Sequence, residues 1–158
     1  MKTKKYHQAY LGLGSNLGQK EEIIRRTIAL IDKQIGTIVR QSALYYSEPW
    51  GFQSQNSFVN AVVCTSTTLT PRQLLCATQR IERLMGKTRQ HATQRSTTSQ
   101  ATPIYQDRPI DIDILLYDDL HIDTPQLKIP HPLMQERDFV MVPLREICPT
   151  YADPEPSR

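Results

Sequence analysis

Two carboxylates stand two residues apart, Asp111 and Asp113, in the run Ile110-Asp-Ile-Asp-Ile-Leu-Leu-Tyr117. In a strand, residues i and i+2 share a face, about 6.5 Å apart by rise. Two carboxylates that close in a buried setting need a counter-charge. A divalent cation, or a pair of them, supplies it, and Mg²⁺ is usually held by one or two carboxylates plus substrate phosphates. Ile110, Ile112 and Ile114 would face the core and anchor the strand. The alternative is an amphipathic edge strand with solvated carboxylates, although Asp is disfavoured in strands. Arg108, three residues before Asp111, could hold phosphate oxygens bidentately or simply pair with Asp107 or Asp111.

The charge map points the same way. The formal net charge is +3 over 158 residues. Between Arg80 and Arg108 there are six basic residues against Glu82 and Asp107, so this stretch carries +4 and the rest of the chain −1. Asp111, Asp113, Asp118, Asp119 and Asp123 follow, with no Lys or Arg until Lys128. A basic segment abutting an acidic one suits a polyanion handled with a divalent metal. On charge alone, a solvated loop followed by a polar turn is the plainer reading.

Further candidates are weaker singly. His131 sits in the stiff Pro130-His131-Pro132, with Arg137 and Phe139 following. Beside a phosphate site, His131 and Arg137 become candidate donors. Trp50, Phe58 and Phe139 could sandwich a planar heterocycle, and Asn60 offers both donor and acceptor to its edge. Taken by themselves, Phe58 and Phe139 read first as core residues. Gly12-Leu-Gly-Ser-Asn-Leu-Gly18 invites a phosphate-loop reading. It lacks Gly-Lys-Ser/Thr, and its glycine spacing misses the dinucleotide fingerprint. A structural strand-to-helix turn is expected there. Cys64, Cys76 and Cys148 are scattered, so neither a disulfide framework nor a cysteine zinc site is supported.

The elements that must position these residues can be read in order. Tyr6 to Leu13 reads as a strand ended by Gly12, Gly14 and Gly18. Ile24, Ile28, Ile31 and Ile35 mark one helix face, and Gly36 is a stop. Ile38 to Tyr46 is β-prone and Glu48-Pro49-Trp50-Gly51 breaks it. Phe58 to Thr68 reads as a strand. Thr70-Pro71-Arg72-Gln73 is a helix start with a capping box, and Leu74, Thr78, Ile81 and Met85 continue that helix until Gly86. Thr88 to Gln106 has no apolar periodicity and is expected to be a long mobile loop. Nine of the eleven prolines lie from Pro103 onward, so only short elements are expected in the C-terminal third. The order β-α-β-β-α-β with a Pro-rich C-terminal extension is α+β and ferredoxin-like, an antiparallel sheet with both helices on one face. One domain spanning 1–158 is expected. The longest apolar runs are too short to span a bilayer. The first residues lack a secretory pattern, so a cytoplasmic location is expected. A monomer is the default.

Taken in order, several pieces resemble one family. They are Leu11-Gly-Leu-Gly-Ser-Asn-Leu-Gly18, Pro49-Trp-Gly51, Phe58-Val-Asn-Ala61, Gln79-Arg-Ile-Glu82, Arg108-Pro-Ile-Asp-Ile-Asp-Ile-Leu115, Pro130-His131, Pro143-Leu144 and Glu146-Ile-Cys-Pro149. The set is similar to the 6-hydroxymethyl-7,8-dihydropterin pyrophosphokinases of folate biosynthesis, from about Ala9 to Pro149. The resemblance implies transfer of pyrophosphate from ATP to the pterin hydroxymethyl group, giving AMP. It implies that Asp111 and Asp113 bind two Mg²⁺ ions. Phe58 and Phe139 would sandwich the pterin, Asn60 would read its edge, and Ser47, Pro49 and Trp50 would meet it through their segment. Gln79 and Glu82 would lie near the nucleotide. Lys87, Arg89, Arg108, His131 and Arg137 would surround the triphosphate, and Ile114 would be an adenine-side contact. Attack at the β-phosphorus needs positioning and charge neutralisation more than covalent help. No catalytic nucleophile is expected and no general base is assigned. The chain departs from the family at Tyr105-Gln106-Asp107, in the longer Thr88 to Gln106 loop, and at Gln126 and Pro132, whose contacts are not carried over.

An RNA-recognition module shares the β-α-β-β-α-β order. Such modules carry paired aromatics within a K/R-G-F/Y-G/A-F-V-x-F/Y motif. That motif is missing, and Asp111 and Asp113 would repel phosphate without metal. A small metal-binding or interaction protein derived from the enzyme is the third reading, kept open by Asp107. The expected partners are therefore ATP and the dihydropterin, not nucleic acid or membrane.

Overall fold

The computed structural model describes residues 4–47, 57–86 and 109–149. Strand β1 (His7–Ser15) leads into α1 (Lys20–Gln34), then β2 (Gly36–Gln41), β3 (Tyr45–Ser47) and β4 (Phe58–Thr67). Helix α2 (Pro71–Leu84) precedes β5 (Asp111–Tyr117), the short ribbon β6 (Ile122–Asp123) and β7 (Lys128–Ile129), and α3 (Asp138–Ile147). The main sheet runs β2-β4-β1-β5, with β3 also paired to β4. Every pairing in it is antiparallel.

Local chemistry explains most of these boundaries. Thr70 accepts the N–H of Gln73 while the Gln73 side chain accepts the N–H of Thr70, and Pro71 opens the helix. This reciprocal cap satisfies two otherwise orphaned donors of α2. Gly86, at φ +109°, turns the chain away after α2, and Gly18, at φ +71°, does so before α1. Helix α1 carries Glu21 and Glu22 in its first turn and Lys33 in its last, which complements its dipole. Its apolar stripe buries Ile24 and Ile31, with Ile28 at the margin.

Gly12 and Gly14 lie inside β1 rather than at its end, so the strand runs two residues beyond Leu13. Gly36 follows α1 directly and opens β2. A Cβ there would sit 2.0 Å from the Ser66 carbonyl oxygen, so close approach of β4 demands glycine. The β-prone stretch after it is two strands, separated where Ser42 exchanges bonds with Val62.

The sheet is covered on both faces. On one, Leu11, Leu13, Val59, Val63, Ile112 and Ile114 pack with Ile24 and Ile31 of α1 and Leu74 and Ile81 of α2. On the other, Tyr10, Val62, Cys64 and Leu115 pack with Val140, Met141, Leu144 and Ile147 of α3. That third layer corrects the expectation of only short elements and of helices on one face alone. Pro143 lies inside α3. It forgoes one backbone bond, but a ten-residue helix with four buried apolar side chains on one side compensates. Among the described residues no helix is long and apolar enough to cross a membrane.

Candidate active site

Alternation along β5 sends Ile112 and Ile114 into the core under α1 and α2. Asp111 and Asp113, both half-buried, therefore point to the α3 side. Leu115 follows the carboxylates to that side by the same alternation, and a register shift opposite Tyr10 and Leu11 then puts Leu116 on the α3 side and Tyr117 back in the core under α1 and α2.

The neighbouring strands supply the rest of this surface. Asn60 of β4, Gly14 of β1 and Asp111 of β5 lie in one row across the sheet. Val62, Gly12 and Asp113 form the next row. The central strand thus contributes two residues without side chains between β4 and the carboxylates. A Cβ on Gly14 would come to 3.1 Å from Asn60 Oδ1 and 4.0 Å from Phe58. One on Gly12 would touch Leu115 at 3.4 Å. The glycines keep β1 free of side chains on the α3 face, and the strip this leaves between Asn60 and Asp111 forms a trough.

Asn60 is buried, and its Nδ2 donates to Ser47 Oγ at 2.8 Å and to the Tyr45 carbonyl at 3.3 Å. Ser47 pairs with Phe58 in the β3–β4 register.

The backbone N–H of His131 donates to the Leu115 carbonyl, which ties the Pro130–Pro132 segment to β5. The Leu133 N–H donates to His131 Nδ1 at 3.3 Å, so the neutral ring carries its proton on Nε2. Burial pushes the His131 pKa down, and the Arg137 charge adds to this, against an opposing pull from Asp113. Asp113 and Arg137 thus both lie within electrostatic reach of His131. Arg137 lies 5.6 Å from the centre of the Phe139 ring, a cation–π distance. Phe139 in turn packs on the cluster containing Val62 and Leu115.

Other expected site residues lie elsewhere. Glu82 is buried on α2, and its carboxylate accepts the Ile112 N–H at 3.1 Å. Gln79 is on the exposed side of α2, which covers the opposite sheet face. The Ile114 side chain is also in the core on that face, so toward the carboxylates it offers backbone only. Pro49, Trp50, Lys87, Arg89 and Arg108 lie outside the described residues, as do Asp107 and the Thr88 to Gln106 stretch.

Sequence reasoning missed Gly12 and Gly14 as the floor of the trough. Their spacing of two within an apolar run was the available signal. It also missed a cleft of about 390 Å³ beside the β6–β7 ribbon, lined by His121, Asp123, Lys128, Pro130 and Pro132. This cleft adjoins His131 in the chain.

Asp111 and Asp113 suit a hard divalent cation. Among the described residues no cluster of three or more His, Cys, Asp or Glu side chains could cage a metal. A half-open pair of carboxylates over a glycine floor leaves coordination positions for phosphate oxygens and water, which is the preference of Mg²⁺.

The family model for 7,8-dihydro-6-hydroxymethylpterin-pyrophosphokinase matches residues 10–149. A 2-amino-4-hydroxy-6-hydroxymethyldihydropteridine pyrophosphokinase of Porphyromonas gingivalis is 41% identical over 141 residues, covering 89% of this chain and 90% of that protein. The similarly named protein of Bacillus subtilis is 39% identical over 141 residues, covering 89% of this chain and 77% of its own length. Among solved structures, a Plasmodium falciparum HPPK-DHPS with pterin and p-hydroxybenzoate superposes with a TM-score of 0.68 at 18% identity, over 96% of this chain. This chain spans 41% of that longer one, and the likeness shows a shared fold. The chain belongs to the 7,8-dihydro-6-hydroxymethylpterin-pyrophosphokinase family.

Proposed function

We propose that the protein transfers pyrophosphate from ATP to the hydroxymethyl group of 6-hydroxymethyl-7,8-dihydropterin, giving AMP and the pterin diphosphate, in folate biosynthesis. The observation that carries this reading is the row Asn60–Gly14–Asp111. It sets an amide able to read a heterocycle beside a carboxylate able to hold a metal, with an open floor between them. Family membership supplies the substrates.

In this reading the pterin hydroxyl oxygen attacks the β-phosphorus. The bond from that phosphorus to the oxygen bridging it to the α-phosphorus breaks, AMP leaves, and the hydroxyl proton is released to water. Such a transfer depends on positioning and on neutralising the phosphate charge. Asp111 and Asp113 would hold two Mg²⁺ ions, which neutralise phosphate charge when bound. His131 donates from Nε2, and Arg137 supplies a fixed cation. Lys87, Arg89 and Arg108 are the further cations of the triphosphate site. Phe58 and Phe139 flank the pterin, Asn60 meets its edge, and the Ser47, Pro49 and Trp50 segment also meets it. Gln79 and Glu82 stand on the α2 side of β5 rather than in the trough, the backbone of Ile114 lies toward the nucleotide, and the cleft beside His131 takes its nucleoside end. We read the strand order as ferredoxin-like, with the second strand divided into β2 and β3. We read the chain as one domain acting as a monomer.

The experiment is incubation with ATP, Mg²⁺ and the dihydropterin, with nucleotide products separated. AMP that requires the pterin supports the assignment. ADP as the sole nucleotide product contradicts it.

A further inference from the structure

We infer that Ser47 is a positioning residue that fixes the orientation of the Asn60 amide and so dictates which ligand edge the trough accepts. The inference rests on the pterin reading for its substrate, but on geometry alone for its mechanism. A backbone carbonyl can only accept a hydrogen bond. The 3.3 Å contact to the Tyr45 carbonyl therefore identifies the Asn60 atom facing it as nitrogen. The same nitrogen reaches Ser47 Oγ at 2.8 Å. An amide nitrogen has two hydrogens, and these two acceptors use both.

The amide oxygen must then point the other way. It faces the trough, where a Cβ on Gly14 would approach Oδ1 at 3.1 Å. No hydrogen bond from the described residues satisfies it there. With Asn60 only 4% exposed, the amide has little freedom to trade these contacts for water. The trough thus offers an acceptor, and the complementary ligand edge carries an N–H donor. Without the Ser47 hydroxyl, one hydrogen of the amide loses its acceptor. The rotated amide, presenting its nitrogen to the ligand, then competes.

Ser47 and Asn60 come from strands that pair two residues off this contact, Ser47 with Phe58 and Tyr45 with Asn60. Both acceptors therefore lie on β3, and the lock is built by pairing that three-residue strand to β4.

The test combines side-chain NMR with kinetics on the full chain. The Asn60 side-chain amide protons are followed by hydrogen exchange, without ligand, in wild type, Ser47→Ala and Ser47→Thr. Protection in wild type and Ser47→Thr, with exchange faster by about tenfold or more in Ser47→Ala, is expected for loss of one hydrogen bond. In steady state the KM for the dihydropterin rises about tenfold in Ser47→Ala, while kcat and the KM for ATP stay within about twofold. Ser47→Thr keeps the oxygen and restores the KM. Equal exchange in all three proteins overturns the lock. A pterin KM unchanged in Ser47→Ala, or one that rises together with that for ATP, overturns its role in recognition. A wild-type protein that makes no pterin-dependent AMP overturns the reaction itself, and the exchange result then stands separately.

Discussion

The Glu82 carboxylate accepts the backbone N–H of Ile112 at 3.1 Å, at the point on β5 that lies between Asp111 and Asp113. Among the described residues β5 is an edge strand, so this N–H has no neighbouring strand to pair with. Glu82 reaches it from α2, on the opposite face from the two carboxylates. The edge is satisfied and the strand is held against the helix in one contact. Glu82→Ala leaves the Ile112 donor without this acceptor and should cost about 1–3 kcal/mol, the penalty for an unsatisfied buried donor. Glu82→Gln retains an acceptor oxygen and should lose less. Urea unfolding of the three proteins checks this, and a Glu82→Ala protein as stable as wild type would contradict it.

Gly14→Ala should impair the pterin side selectively. The added methyl meets Asn60 Oδ1 at 3.1 Å and narrows the trough toward Phe58. Glycine is not needed there for φ, so the fold should survive. The expected result is a rise of about tenfold or more in the dihydropterin KM with that for ATP little changed, as for lost binding of one substrate. Equal increases in both would show that the methyl acts on the sheet rather than on the trough.

Gly36→Ala should do the opposite. Its Cβ would lie 2.0 Å from the Ser66 carbonyl oxygen, and backbone on both strands must shift. The site residues lie toward the other end of β4. Destabilisation of about 2–3 kcal/mol, at the upper end for single substitutions, is expected from chemical denaturation. The pterin KM in the folded fraction should be unaffected.

The thiols should separate by reactivity. Cys76 is exposed, whereas Cys64 is buried beside Tyr10 and its pKa is pushed up by that burial. A raised pKa means less of the reactive thiolate at neutral pH. Alkylation of the native protein followed by mass spectrometry should modify Cys76 first and Cys64 only on unfolding. Early modification of Cys64 would contradict the packing of α3 on the sheet.

Much of this arrangement was legible in the residues. The alternation around Asp111 and Asp113 announces a strand with two faces, and the three isoleucine anchors, Ile110, Ile112 and Ile114, are where it puts them. The Thr70–Gln73 cap is equally local. What stayed hidden depends on register or on packing. Ser47 and Asn60 are thirteen residues apart and meet only because β3 pairs with β4. Gly12 and Gly14 look like a turn until β1 is flanked by β4 and β5 on both sides. Helix α3 was obscured by Pro143, because a proline reads as a breaker unless a buried face compensates for it. The end of β2 is set by a Ser42–Val62 exchange that has no local signature.

Substitution of the two carboxylates asks whether Asp111 and Asp113 carry the metal-dependent transfer. Wild type, Asp111→Asn and Asp113→Asn are each incubated with ATP, Mg²⁺ and 6-hydroxymethyl-7,8-dihydropterin, with and without EDTA, and AMP is quantified. These changes keep the side-chain volume and remove the charge, so the fold should hold. Wild type should give pterin-dependent AMP, abolished by EDTA and reduced by about a hundredfold or more in either variant, the scale of losing charge stabilisation at a transferring phosphoryl group. AMP formation that survives both substitutions, or that proceeds in EDTA, would contradict that role.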